Sequence, residues 1–118
     1  MRAVQPLRAD ARLAGVAFTL RYLPTREDLA GDVVDNLKDV QRIGIERIAP
    51  GEVLVIDARG ETGAGTLGNI LATRLQVKAA AGIVTDGAYR DSPSIAKMEI
   101  AAYAAAMNAN SSKTIHHP

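Results

Sequence analysis

The first strong pattern in the sequence is an alternation of apolar and polar side chains over residues 13–23. β-Branched and aromatic residues are frequent there, and the segment ends at Pro24. The alternating positions form an apolar and a polar set: Phe18, Leu20 and Tyr22 against Thr19 and Arg21. This period of two predicts a β-strand with one buried face.

A period of three to four residues governs the next segment. Residues 25–28 have the spacing of a capping box, which predicts a short helical turn. Apolar or small residues then recur at helical spacing: Val33, Leu37, Val40, Gly44 and Ile48. They predict an amphipathic helix over residues 33–48, ended by Pro50 and Gly51.

The middle of the chain predicts a strand, a loop, a helix and a second strand. Residues 53–56 are continuously apolar, which is typical of a strand covered on both faces. Residues 60–66 include three glycines and are predicted to form a loop. Helical spacing follows, with a start near Thr66, and Gly82 is predicted to end the helix. The apolar or small residues of this predicted helix are Leu67, Ile70, Leu71, Leu75 and Ala79.

Residues 82–85 complete that unit as a short buried strand, expected to run beside residues 53–57. Further along, Ser92 and Pro93 resemble an N-cap followed by proline at the first helical position. They predict a helix over residues 93–98, followed by a strand over 99–105. Residues 107–118 lack periodicity and are expected to be loose, so residues 1–118 are interpreted as one α/β domain.

Composition limits the classes of function. With 14 basic and 13 acidic side chains among 118 residues, the net charge is only +1, and aromatic residues make up 3%. The chain has neither the basic excess nor the aromatic stacking platforms that are typical of nucleic-acid binders, so direct binding of nucleic acid is not expected. The absence of cysteine excludes disulfides, thiolate metal sites and cysteine nucleophiles. No secretory signal or membrane-length apolar segment is visible, so a cytoplasmic location away from membranes is expected.

One pair of segments could carry chemistry: the glycine-rich loop with the helix start after it, and the turn over residues 86–91. A helix start offers free N–H groups to an anion. Parallel strands would bring Arg90 and Asp91 to the same edge of the sheet. Arg90 can bind a carboxylate through two N–H groups, and Asp91 is a hard oxygen ligand suited to Mg²⁺. Together they form a coherent site for a small 2-oxo acid.

Each of these features also has an ordinary structural interpretation. Arg90 and Asp91 could be a solvated turn pair, and Asp86–Gly87 is a common turn signal. The glycine spacing fits neither a dinucleotide-binding motif nor a P-loop. Tyrosines 22, 89 and 103 are expected to pack rather than act as acids, and the adjacent histidines 116 and 117 are not expected to be ligands.

The runs 68–72 and 81–91 resemble the signature of the class II pyruvate aldolase family that also contains the regulator of ribonuclease activity A, the RraA-like family. The family pattern is an acidic residue, twenty residues, and then Arg-Asp. Twenty residues also separate Asn69 from Arg90 here. The similarity extends through residues 6–8, 17–21 and 51–57, and so covers most of residues 6–118.

The resemblance implies a layered α/β sandwich with a mixed sheet, similar to the phosphohistidine-swivelling type of fold. It implies a lyase that cleaves 4-hydroxy-4-methyl-2-oxoglutarate to pyruvate and also decarboxylates oxaloacetate, with a divalent cation such as Mg²⁺. The residues that match the family motif would then have three roles: substrate binding by the backbone of Gly68, Asn69, Ile70 and Leu71, substrate binding and catalysis by Arg90, and catalysis and metal binding by Asp91.

Two departures from the family pattern keep other functions open. Asn69 stands where the aldolases usually carry an acid, and an amide can neither take up a proton nor add negative charge beside a metal. Family members are also longer, so the domain is expected to be incomplete at both ends, and the family site lies between subunits of a homotrimer. The alternatives are a non-catalytic regulator that binds ribonuclease E and an inactive truncated fragment.

Overall fold

The computed structural model describes residues 4–24, 40–63, 65–107 and 116–117. The predicted turn at 25–28 and the predicted helix before residue 40 lie outside these ranges. Within them, no helix combines the length and apolar character needed to cross a bilayer. The strands and helices in chain order are β1 (Gln5–Pro6), β2 (Ala17–Arg21), β3 (Leu23–Pro24), α1 (Val40–Arg47), β4 (Val53–Asp57), β5 (Gly65–Leu67), α2 (Asn69–Val77), β6 (Gly82–Thr85), β7 (Ala88–Tyr89), α3 (Ser92–Ala96), β8 (Ala101–Ala104), β9 (Ala106–Met107) and β10 (His116–His117).

The main sheet has five strands in the order β1-β8-β6-β4-β2. The pairs from β2 to β8 are parallel, whereas β1 runs antiparallel to β8. The predicted pairing of residues 53–57 with residues 82–85 is therefore confirmed. The sheet is mixed and carries helices, as expected for a layered α/β sandwich.

A second, three-stranded sheet continues from the carboxyl ends of the first. Strands β5, β7 and β9 are parallel to one another, and each is the next strand in the chain after β4, β6 and β8 respectively. Only Asp86 and Gly87 separate β6 from β7. The Gly87 carbonyl accepts hydrogen bonds from the N–H groups of Ala105 and Ala106 at 3.0 and 3.2 Å. Chain segments that leave the main sheet thus pair again just beyond it.

One face of the main sheet builds the apolar core together with the three helices. The predicted alternation in β2 is confirmed, because Thr19 and Arg21 are exposed whereas Leu20 and Tyr22 are buried. In register with this face lie buried residues of the neighbouring strands, and the helices add theirs: Leu54, Ile56, Ile83, Ala102, Ile45, Ala72, Leu75 and Ile95. Aliphatic side chains dominate this core, as the low aromatic content predicts.

The segment before β2 contacts the opposite face. A Cβ atom on Gly82 would lie 2.7 Å from Leu13 Cδ2, and the Tyr103 hydroxyl donates to the Ala11 carbonyl at 2.9 Å. The Arg8 guanidinium donates to the carbonyls of Met98 and Glu99. Coverage of this second face is partial, since Val55 is only half-buried. The prediction of a strand covered on both faces therefore holds for Val53 but not fully for Val55.

The helix that follows the glycine-rich loop differs from its prediction at both ends. Residues 65–67, predicted as loop and helix start, form β5 instead, and α2 begins at Asn69. The helix ends at Val77, and Ala79, with φ +61°, takes the left-handed position assigned to Gly82. The Ala79 and Ala80 N–H groups donate to the Gln76 and Leu75 carbonyls, which is the Schellman pattern. Backbone hydrogen bonding, not the nearest glycine, determines this end.

Two further boundaries differ from the sequence predictions. Asp91 rather than Ser92 is the N-cap of α3, which spans Ser92–Ala96 instead of 93–98. The predicted strand over 99–105 is confirmed only for β8 (Ala101–Ala104), and a separate strand, β9 (Ala106–Met107), follows it and includes Met107, which was expected to be loose. His116–His117 pair antiparallel with Leu23–Pro24, so the expected loose tail does not apply to these residues.

Helix α2 is tied to α1 on the surface. The Arg74 guanidinium donates to both carboxylate oxygens of Glu46 at 2.7 and 2.8 Å, and Lys78 Nζ donates to the Glu46 carbonyl at 2.6 Å. The hydrogen bond from Arg74 lowers the pKa of the Glu46 carboxyl below its ordinary value. Both ionised side chains are about half exposed, so this pair contributes little to stability.

Candidate functional site

The candidate site lies where β5 and β7 end side by side. β5 leads through Gly68 into α2, and β7 leads through Arg90 and Asp91 into α3. The Arg90 N–H donates to the Leu67 carbonyl at 2.8 Å, which fixes the two exits against each other. The sequence predicts that Gly68, Arg90 and Asp91 meet at one edge of the sheet, and they do.

Gly68 is in direct contact with both charged side chains. A Cβ atom built on it would lie 3.0 Å from Arg90 Nη2 and 3.1 Å from Asp91 Oδ2. The backbone at Gly68 is extended, with φ −114° and ψ −178°, a conformation open to any residue. The need for glycine therefore arises from the close approach of Arg90 and Asp91 and not from the backbone angles.

Asp91 links the two helix starts of the site. Its backbone is left-handed, with φ +53°, and its carbonyl accepts the Ile95 N–H at 3.0 Å as the N-cap of α3. Its side chain makes no hydrogen bond within that cap. Instead, Oδ2 lies 3.3 Å from the Asn69 N–H at the start of α2. Left-handed conformations of non-glycine residues concentrate at functional sites, and aspartate tolerates them better than most.

Arg90 contributes a positive charge with unused hydrogen-bonding capacity. The side chain is half-buried, and within the described part of the chain its Nε atom is buried without a hydrogen-bond partner. An unpaired buried N–H is costly. At the other end of the guanidinium, Nη2 lies beside Gly68, and N–H groups of this kind bind carboxylates.

The first turn of α2 provides the backbone groups of the site. It contains no acidic residue, so the Asp91 carboxylate is the negative charge that the structure records there. N–H groups in a first turn have no acceptor within the helix, which applies to Ile70 and Leu71. The Ile70 side chain is 76% exposed. Of the apolar residues at helical spacing, Ile70 is thus exposed, whereas Leu75 is buried together with Ala72.

The donor set restricts the metal that could bind. Over the described ranges, no three His, Cys, Asp or Glu side chains group as ligands. Asp91 thus offers a single exposed carboxylate. One carboxylate is compatible with Mg²⁺, which retains waters and completes its coordination with substrate oxygens. It is incompatible with the closed tetrahedral sites typical of structural zinc.

The turn signal Asp86–Gly87 has a larger role than an ordinary turn. Asp86 Oδ1 accepts the Ala58 N–H at 2.7 Å, and Oδ2 accepts the Gly60 N–H at 2.9 Å. The carboxylate therefore holds the loop that leads to β5. Aspartate in a turn does not reveal its acceptor role in sequence, because the two N–H groups come from a segment 26 to 28 residues earlier.

Three residues near the site were not singled out for it by sequence. The Thr66 carbonyl accepts hydrogen bonds from the Tyr22 hydroxyl at 2.9 Å and from Gln41 Nε2 at 2.5 Å. The Thr66 hydroxyl donates to the Ala88 carbonyl at 2.9 Å. All three side chains are buried. The signal that could have indicated this cluster is a polar residue, Gln41, on the inner side of an amphipathic helix.

Comparison with known proteins gives a family and a set of related folds. The family model described as RraA-like, Aldolase/RraA, matches residues 1–117. The RNA-processing inhibitor RraA from Thermus thermophilis is 30% identical with a TM-score of 0.72, and the alignment covers 93% of this chain and 60% of that one. Streptomyces coelicolor RraAS2, described as an unusual member of the RNase ES inhibitor RraA family, is 29% identical with a TM-score of 0.74, covering 93% and 52%.

A third structure supports the fold alone. An uncharacterized protein from Pseudomonas syringae pv. tomato has a TM-score of 0.78 at 19% identity, over 98% of this chain and 50% of that one. The chain therefore spans between half and three-fifths of the length of these structures.

Proposed function

This chain belongs to the RraA-like family, Aldolase/RraA, and on that premise we propose that its site binds a 2-oxo acid and cleaves the bond that releases pyruvate. The proposed substrates are 4-hydroxy-4-methyl-2-oxoglutarate or a related 4-hydroxy-2-oxo acid, with oxaloacetate decarboxylation as a side activity. The proposed cofactor is a divalent cation such as Mg²⁺, and the proposed assembly is a homotrimer.

One observation carries the proposal. A guanidinium and a carboxylate lie 3.0 and 3.1 Å from the position of a Cβ on Gly68, directly at a helix start. A surface ion pair serving only solubility would not require a glycine beneath it. This arrangement instead brings together one cation, one hard oxygen ligand and backbone N–H groups, which are the groups that a 2-oxo acid and its cation need.

Arg90 and the start of α2 have separate roles in the proposed reaction. Arg90 binds the substrate carboxylate, and the first-turn N–H groups of α2 bind its remaining oxygens. As the C4 hydroxyl loses its proton to water, the electron pair of the C3–C4 bond forms a C2=C3 double bond and the C2 carbonyl becomes an enolate oxygen. The C4 fragment leaves as a carbonyl compound, and the pyruvate enolate then takes a proton from water at C3 to give pyruvate. Arg90 offsets the negative charge that develops on the enolate oxygen, where preorganised charge lowers a barrier most.

Asp91 is the proposed protein ligand of the cation. A divalent cation bound there would act as a Lewis acid on the 2-oxo group. The Asp91 oxygen that accepts the Asn69 N–H also lies 3.1 Å from the Cβ position of Gly68, so this contact holds the carboxylate beside the start of α2.

The test is pyruvate release from 4-hydroxy-4-methyl-2-oxoglutarate and from oxaloacetate, with Mg²⁺ and then with a chelator. We expect Arg90→Ala and Asp91→Asn to lower kcat/KM by about a hundredfold or more, the size of effect seen when one charge-stabilising group is removed. Asp91→Asn removes the charge that would bind the metal but keeps an oxygen for the Asn69 N–H at the start of α2. It therefore tests metal binding separately from this hydrogen bond. Arg74→Ala and Asp10→Asn remove similar exposed charges elsewhere and should retain activity. Equal turnover in the site variants and these controls would refute the proposal.

A second function is favoured by a specific observation. Two related structures are described as inhibitors of RNA processing or of RNase ES, and Asn69 lacks the acid that the aldolases carry. The second candidate is therefore a regulator that binds a ribonuclease of the E type without turnover. Asn69→Asp separates the two functions. It should raise lyase activity if the site is catalytic, and should leave the protein inactive, with unchanged binding to purified ribonuclease, if the role is regulatory.

A further inference from the structure

The β5–β7 pairing contains an irregularity two residues before Gly68. Gly65 pairs with Ala88, and Leu67 pairs with Tyr89. Between these two pairs β5 advances by two residues, whereas β7 advances by one. Thr66 is therefore the extra residue of a β-bulge. A bulge leaves the extra residue unpaired in the ladder and redirects the strand that follows it. Here that strand leads directly into the candidate site.

Side chains replace the pairing that Thr66 loses. Its hydroxyl donates to the Ala88 carbonyl at 2.9 Å. Its carbonyl accepts from the Tyr22 hydroxyl at 2.9 Å and from Gln41 Nε2 at 2.5 Å. Thr66 is 1% exposed and Tyr22 is fully buried. A buried carbonyl must find donors, and these two arrive from β2–β3 and from α1, outside the small sheet.

The bulge determines which residue faces Arg90. Without the extra residue, Gly68 would be shifted along the strand by one position, a rise of about 3.3 Å, and side chains would exchange faces. The 3.0 and 3.1 Å approaches of Arg90 and Asp91 to Gly68 would then be lost. The geometry of the site therefore depends on the register that the bulge sets.

We propose that Thr66, Tyr22 and Gln41 are positioning residues, which hold the bulge so that the start of α2 faces Arg90 and Asp91. The hydrogen bonds described above join these residues to one another and to Ala88. Their effect passes through β5 to Gly68 and Asn69. The proposal deepens the proposed lyase function and rests on it for its kinetic readout, but the geometry can be measured without any activity.

The principal experiment compares two tyrosine variants. Tyr22→Phe removes the hydroxyl that reaches the Thr66 carbonyl, whereas Tyr103→Phe removes a hydroxyl that reaches the Ala11 carbonyl at the same 2.9 Å. NMR spectra of the folded proteins report the Arg90 Nε–H and Asp91 N–H resonances, and hydrogen exchange reports the Arg90 amide that donates to Leu67. We expect Tyr22→Phe to shift these resonances and speed this exchange, and Tyr103→Phe to leave them unchanged. Identical spectra at Arg90 and Asp91 for Tyr22→Phe and wild type would overturn the proposal.

A second pair of variants tests the bulge residue itself. Thr66→Val keeps the shape and removes the hydroxyl, and Thr66→Ser keeps the hydroxyl. With oxaloacetate and Mg²⁺, Thr66→Val should raise KM and lower kcat/KM by about tenfold or more, because a small misplacement of binding groups is expensive. Thr66→Ser should restore most of the loss. A partly unfolded population would lower kcat at constant KM, so an unchanged KM would count against positioning.

These readouts separate the two proposals. If the wild-type chain releases no pyruvate while Tyr22→Phe still alters the Arg90 and Asp91 resonances, the lyase function fails and the positioning role stands. If the wild type is active and both tyrosine variants match it in spectra and KM, the positioning role fails and the lyase function stands. Should Thr66→Val not fold, the Tyr22→Phe and Tyr103→Phe comparison decides alone.

Discussion

At Gly68 a single hydrogen atom occupies the place where any other residue would carry a carbon, and two opposite charges fill the space beyond it. The Arg90 guanidinium and the Asp91 carboxylate both approach this point within 3.1 Å. The two side chains therefore bring one positive and one negative charge to the start of α2, where only glycine leaves room for both.

We predict that Gly68→Ala lowers kcat/KM about tenfold while the protein remains folded. The new methyl group must displace Arg90 Nη2 and Asp91 Oδ2 by a few tenths of an ångström, and catalytic geometry is sensitive at that scale. The backbone angles suit alanine, so unfolding free energy should change by less than about 1 kcal/mol. Pyruvate release and urea denaturation are the measurements.

Gly44→Ala is the matched control for Gly68→Ala. A Cβ there would meet Phe18 Cε1 at 3.7 Å, which is an ordinary contact. The control should retain activity and gain stability, since alanine is favoured over glycine within a helix. A Gly68→Ala protein with wild-type activity would show that the close approach has no functional role.

The sequence was sufficient to bring Gly68, Arg90 and Asp91 together, because parallel strands place their exits on one edge. It could not predict the left-handed backbone of Asp91 or the exposure of Ile70. Both features depend on the exact residue at which β7 and α2 begin. Apolar spacing alone does not locate such boundaries to within one residue.

At the level of elements, the end of α2 shows how hydrogen bonding can override a sequence signal. Ala79 adopts φ +61° and supplies the Schellman bond to Gln76. The glycine that sequence reasoning assigned to this role, Gly82, begins β6 and packs its Cα against Leu13 and the Ala101 carbonyl. The prediction that Gly82 ends the helix was therefore wrong, whereas the prediction that it begins a strand is confirmed.

We predict that Ala79→Gly raises the free energy of unfolding by roughly 1 kcal/mol. The left-handed conformation costs an alanine about 1–2 kcal/mol, whereas glycine adopts it freely, and the greater flexibility of unfolded glycine offsets part of the gain. Urea denaturation followed by circular dichroism measures the change. Ala80→Gly, one residue later and without a positive φ, should be neutral or destabilising. A loss of stability in Ala79→Gly would contradict the assigned conformation.

The sequence pattern did not predict the short strands β5, β7 and β9. A strand of two or three residues covers at most one and a half periods of alternation, which is too short to reveal a repeating pattern. Glycines at positions 60, 63 and 65 also indicated a loop, although Gly65 pairs with Ala88 in β5. Long-range pairing creates these strands, and with them the bulge at Thr66 on which the site geometry depends.

For the whole molecule, the strand–helix–strand order and the low aromatic content were enough to predict an aliphatic α/β core. The four parallel strands β2, β4, β6 and β8 and the helices on one face agree with that expectation. The pairing of β1 with β8 was not predictable, because it joins residues about a hundred positions apart. The sequence pattern therefore did not predict pairings between strands that lie far apart in the chain.

The two faces of the main sheet should differ in their contribution to stability, and adjacent residues of β4 test this. Leu54 is fully buried in the core formed with the helices, whereas Val55 points to the opposite face and is half-buried. Leu54→Ala should lower the free energy of unfolding by about 2–5 kcal/mol, because a cavity remains in a closely packed core. Val55→Ala should cost about 1 kcal/mol, the value for a little more than one buried methylene. Urea denaturation of both variants gives the two losses in free energy of unfolding, which can then be compared. Equal losses would mean that the second face is packed as tightly as the first, and the sheet would then have two equivalent cores instead of one.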